Sequence, residues 1–299
     1  MSAPLRVVRV AGLELHVAMR SRRALVVALL FISVTGAAMY GTVSAFAAME
    51  REVSAALGLP VPDATGTVTM TLWRSKPFMH IVSHLVGNQL VFADLTGQHP
   101  VVLAYAVFLL FHLVPFLTLL VSAPRIAEDL RSGAARYLLV RTTRMEWTLG
   151  VFFGEALLLA VALLLGALAA WGVALWQMAG MSAAALLPSL LDWSVRAWIY
   201  AFGWLGLFLG VSHFSRSGGK ATALCILVLL GAVAWPRMLA NFADSFAGLV
   251  HLDLLAPSAS KTLLWRRTPS AFLQGCVQLA ALSFLFLSLG AAVFRRRDV

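Results

Sequence analysis

The sequence predicts an all-α fold, a polytopic membrane protein with six transmembrane helices. Of its 299 residues 61% are apolar and only 12% are charged, about half the charged share of a soluble domain. Mean hydropathy is +0.87. The apolar residues also fall into runs of span length, since about 20 helical residues at about 1.5 Å each cross the hydrocarbon layer.

The elements follow in order. In residues 1–23, Arg6, Arg9, His16 and Arg20 share one side of a helical wheel and Val8, Ala11, Leu15 and Met19 the other. This predicts a basic amphipathic helix lying on the cytoplasmic leaflet, arginines toward lipid phosphates. Span one, Ala24 to Met49, contains no Asp, Glu, Lys or Arg. Ala45-Phe46-Ala47 imitates a signal-peptidase site, but the basic flank and the apolar run are too long for a secretory leader, so an uncleaved span is expected.

Residues 50–100 form an outward region. Gly58, Pro60, Pro62 and Gly66 mark loop, and Ser75 with Pro77 can open a helix toward Asp94 that rests on the outer surface. His80 and His84 stand one turn apart, the spacing of two metal-ligating histidines, but Ile81 occupies the place of the glutamate in a HExxH motif. An interfacial helix without metal is the expectation.

Span two is Val101 to Ala123, carrying His112 and Pro115; span three is Leu149 to Trp176, with Glu155 about two turns from its start. Ionisable groups at membrane depth face a conduit or a structural partner, and His112 and Glu155 are the two pathway candidates. Asp192 and Arg196 have i,i+4 spacing at the outer start of span four, Ala197 to Phe214. Span five, Ala221 to Trp235, is short, so Lys220 and Arg237 are expected to snorkel to the interfaces. An outward loop over 237–269 is bracketed by Trp235 and Trp265, whose indoles suit the headgroup layer. Span six is Phe272 to Phe294. Cys225 and Cys276 both lie in spans, at a spacing that suggests neither a disulfide framework nor a metal site.

Orientation follows from the cations. With both termini inside, 15 of the 23 Lys and Arg residues lie on the cytoplasmic side, as the positive-inside tendency requires. The net charge of +10 is thus explained by flanks of apolar spans, which present no continuous basic face for nucleic acid.

One stretch stands apart. Residues 124–150, between spans two and three, hold Arg125, Glu128, Asp129, Arg131, Arg136, Arg141, Arg144 and Glu146. Ile126 and Leu130 give residues 124–132 an apolar side, Gly133 breaks that helix, and Ala134 to Val140 form a second short one offering Leu138 and Leu139 to the membrane. Thr143 and Glu146 have the spacing of a capping box at the start of span three.

Ile126-Ala127-Glu128, Ser132-Gly133, Leu138-Leu139, Arg144 and Gly150 together resemble the signature between the second and third spans of ABC-2-type transporter permeases. The ending Phe294-Arg295-Arg296-Arg297-Asp298, the six-span plan and the amphipathic start are similar to that family, and the long region after span one is closest to its nitrous-oxide-reductase maturation subgroup. Ala134, Thr142 and Val151 depart from the pattern, where Thr, Pro and Lys are common.

The resemblance implies a bacterial inner-membrane exporter subunit that pairs with a second permease copy or paralogue and with a separate ABC ATPase. Residues 124–146 would be its coupling segment, with Glu128, Asp129, Arg131, Gly133, Arg136 and Arg144 docking the ATPase. Membrane lipids are the remaining partner. The residues themselves require an outside ATPase for ATP-driven work: Gly218-Gly219-Lys220-Ala221 lacks the first glycine and the hydroxyl residue of a phosphate-binding loop. The chain is therefore expected to be no enzyme and to hold no cofactor. A secondary carrier would need repeated broken helices and an intramembrane enzyme a catalytic constellation, and neither pattern is found.

Overall fold

The computed structural model describes residues 3–56, 99–178, 185–242 and 255–295, and every element among them is a helix. The expected outer-surface helix with His80 and His84, the middle of the 237–269 loop, and Arg296 to Asp298 lie outside the described residues.

Helix α1 spans Ala3–Arg20 and α2 Arg23–Ala56. Span two is built from α3 (Pro100–Ala104), a π-helical turn (Tyr105–Leu110) and α4 (Phe111–Ser122). The charged segment supplies α5 (Arg125–Ser132) and α6 (Ala134–Leu139). Then come α7 (Arg144–Gln177), α8 (Leu187–Ser212), α9 (Gly218–Phe242), α10 (Lys261–Trp265) and α11 (Pro269–Arg295).

Among the described residues four helices are long and apolar enough to cross a membrane: α2, α7, α8 and α11. Span two counts as a fifth if its halves, bent by 42°, are taken together. The break falls at a π-helical turn, Tyr105–Leu110, where the hydrogen-bond ladder widens. Pro115, in the helix that follows, lacks the amide that would bond to Phe111.

Helix α7 is the hub. It packs along α2, receives α1 near its start and lies against α8, which in turn carries α11 and α4. The contacts use small residues, as membrane helices must when lipid offers as much dispersion energy as a neighbouring helix. Gly150 and Gly154 form a small-xxx-small step beneath α1: a Cβ on Gly154 would come 2.7 Å from Glu14 Cβ, and one on Gly150 would strike the Val10 side chain. A matching step on α8 lies under α11, where a Cβ on Gly206 would meet Ser283 Cβ at 2.8 Å.

This seam revises the reading of α1. Its buried residues are Val10, Ala11, Glu14 and Ala18, while Val8 and Met19 are 69% and 67% exposed. The packed face is therefore rotated from the apolar side of the wheel, because α7 offers two glycines and fits a close-approaching ridge. Trp265 is a second correction. The expected headgroup indole is buried, edge-on to Phe111 at 5.9 Å and under the Lys261 ammonium at 4.7 Å. Helix α8 also starts at Leu187, ten residues before the apolar run, since Arg196 is neutralised within it. Its guanidinium donates to Asp192 Oδ2 at 3.0 Å and to the carbonyls of Leu264 and Arg266 at 2.6 and 3.0 Å.

Replacing Gly150 by Leu is expected to lift α1 from α7 at a cost of about 1–3 kcal/mol. Amide exchange in α1 should accelerate while the α8–α11 contact keeps its protection; unchanged exchange in α1 would contradict the packing argument.

Candidate functional site

The charged segment folds as the sequence proposes. Gly133 takes φ +76°, a left-handed conformation that glycine reaches without strain, and turns the chain from α5 into α6. At the far end Thr143 Oγ1 accepts from the Glu146 amide at 3.2 Å, and Glu146 Oε2 accepts from the Thr143 amide at 2.8 Å. The capping box fixes where α7 begins.

Behind α5 lies a buried ionic cluster. Arg125 projects inward with its side chain 13% exposed and donates to Glu14 of α1, through Nε at 3.1 Å and through Nη2. It also donates to Asp129 at 2.6 Å, and its Nε lies 3.8 Å from Glu155 of α7. Glu155, 2% exposed, accepts from Arg23 of α2 at 2.7 Å, and Arg23 reaches the Val121 carbonyl at the end of α4 at 2.8 Å. Three carboxylates and two guanidiniums thus connect five helices. A third guanidinium stands beside them, where Arg6 of α1 holds Glu146 at 2.7 Å.

The cluster is costly to place away from water, and mutual attraction offsets that cost only while each member keeps its partners. Moving α5 alone would leave Glu14 without its cation and Glu155 with Arg23 only, so α5 is favoured to move with α1 and the adjoining part of α7. Two further contacts fasten the segment. The Ala127 amide donates to Ser212 Oγ of α8 at 3.1 Å. Arg144 donates to the Phe294 carbonyl of α11 and stacks on the Phe294 ring at 4.7 Å.

The docking candidates separate into two groups. Glu128, Arg131 and Arg136 are exposed, and Gly133 shapes the bend between them. Asp129 and Arg144 are turned inward to Arg125 and Phe294, so they brace the surface from behind. Of the pathway candidates, Glu155 is committed to the ionic cluster. His112 is exposed, with Nε2 3.4 Å from Lys261 Nζ. Among the described residues no three His, Cys, Asp or Glu side chains converge on a metal position.

Sequence reading missed Glu14, Arg23 and Arg125 as partners. The available signal was Glu14, the sole acidic residue in the first 49. A single carboxylate inside a basic amphipathic helix has little reason to face anionic lipid.

Compared with known families, residues 8–299 match the model described as ABC-2 family transporter protein. No curated protein matches the chain.

Arg125→Met, which removes one cation facing three acids, is expected to destabilise the detergent-solubilised protein by about 3–5 kcal/mol, read as a lowered thermal midpoint. Adding Glu14→Gln should recover part of that loss, giving less than the summed effect of the two single changes. Additive losses would show that the two side chains are not coupled.

Proposed function

The chain belongs to the ABC-2 transporter family, and from that premise we propose that it is the membrane permease of an exporter powered by a separate ABC ATPase. It works beside a second permease copy or a paralogue, with both termini in the cytoplasm of a bacterial inner membrane. Six spans are proposed, counting the bent span two and α9, whose apolar part Gly218–Ala232 is short. The nitrous-oxide-reductase maturation subgroup remains the nearest reading of the layout.

The observation that carries the proposal is the pairing of an exposed charged face with a buried ionic root on one short helix. Helix α5 presents Glu128 and Arg131 outward, while Arg125 and Asp129 on its other side anchor it to α1, and through Glu155 to α7. A partner gripping Glu128, Arg131, Arg136 and the Gly133 bend would pull on the spans through Arg125, Asp129 and Arg144. ATP-driven closure of the ATPases then becomes rearrangement of the membrane helices. Complementary charges at such a surface set partner choice and register.

Glu128→Arg reverses a charge on the exposed face, and Gly133→Trp puts a bulky side chain on a left-handed backbone position. Each variant is expected to insert in the membrane but to lose the co-purified Walker-type ATPase. Undiminished co-purification would contradict the docking assignment. Substrate-stimulated ATP hydrolysis by the purified complex separates this function from that of a carrier working alone.

A further inference from the structure

A groove of about 310 Å3 opens between α1 and α6, lined by Arg6, Arg9, Val10, Leu13, Tyr137 and Arg141 together with Leu138 and Thr142. None of these residues belongs to the docking face proposed above. Arg6 is held by Glu146. The guanidiniums of Arg9 and Arg141 are exposed and make no ion pair or hydrogen bond among the described residues. Two uncompensated cations therefore stand over one cleft, where their mutual repulsion is relieved by an anion.

Apart from Thr142, the rest of the lining is apolar or aromatic. Val10, Leu13 and Leu138 form a wall beside the arginines, and Tyr137 is 83% exposed at the rim. One turn beyond Leu13 on the same side of α1, Val17 is also exposed and extends the apolar surface. A free anion would use the cations and gain nothing from the wall. An amphiphile uses both.

We infer that this groove binds the phosphate-bearing headgroup of an anionic phospholipid of the cytoplasmic leaflet. Arg9 and Arg141 hold the phosphate, and Leu13, Leu138 and the open side of α1 lie along the upper acyl chains. The inference rests on the proposed orientation, with α1 and the charged segment at the inner face. Basic clefts beside membrane helices on that face recognise anionic headgroups in this way. The groove also joins two elements with different duties. Its α1 side is fixed to α7 and its α6 side is continuous with the docking segment, so a bound lipid bridges them and favours the arrangement in which the charged segment stays closed against α1.

The test uses the full-length permease alone, so that its outcome is independent of ATPase docking. The protein is reconstituted in nanodiscs of equal parts phosphatidylglycerol and phosphatidylcholine, and the lipids it retains on release are identified by native mass spectrometry. Wild type should retain phosphatidylglycerol preferentially. The Arg9→Gln, Arg141→Gln double variant should reduce that preference by about tenfold, Arg141→Glu should reduce it from a single position, and Arg51→Gln at the far end of α2 should leave it unchanged. An equal preference in wild type and both groove variants would overturn the proposal. So would release of the lipid by excess inorganic phosphate, which would mark a free-phosphate site.

Discussion

The contact on which the rest of this structure depends is the Arg125 guanidinium, buried where α1, α5 and α7 meet. A cation in that position is tolerable only with carboxylates around it, and three are supplied: Asp129 one turn along α5, Glu14 from α1 and Glu155 from α7. Those acids need further cations in turn, so Arg23 is drawn in from α2. Such an assembly adds little net stability compared with a well-packed apolar equivalent, yet it penalises any partial separation of its members. That asymmetry suits the proposed role of the segment as a joint that transmits motion without slipping.

The glycine steps make the joint possible. Gly154 lets the α1 backbone approach α7 closely enough for Glu14 to reach Arg125 past the helix surface, and Gly150 seats Val10 one turn earlier. Farther along, the same device closes α8 against α11. The C-terminal Phe294 then returns to cover Arg144 and the buried Trp147. The charged segment is thereby held at both ends, at Arg125 by ion pairs and at Arg144 by a carbonyl and an aromatic face.

Much of this was legible in the sequence because hydrophobic run length, glycine punctuation and capping spacing act locally. The helices stand close to where the apolar runs placed them, Gly133 bends as expected, and Thr143 and Glu146 form their box. The pairing of Asp192 with Arg196 was readable for the same reason, as both lie on one helix. What escaped was set by tertiary contacts. The rotation of α1 depends on two glycines about 140 residues away. Glu155 was visible as a costly charge, but nothing near it in sequence pointed to Arg23 or Arg125. Trp265 looked like an interfacial indole because periodicity cannot show that Phe111 folds over it. The inward turn of Asp129, among docking residues chosen for charge alone, is visible only once Arg125 has a place.

The central claim is that α5, α1 and the inner end of α7 move as one body when an ATPase acts on the charged segment. The most direct measurement is a set of spin-label distances in the permease–ATPase complex, with and without ATP, using pairs at Arg131→Cys in α5, His16→Cys in α1 and Val195→Cys in α8. A rigid joint predicts that the 131–16 distance stays constant while both labels shift relative to position 195. A 131–16 distance that changes on ATP binding, with α1 fixed relative to α8, would contradict it.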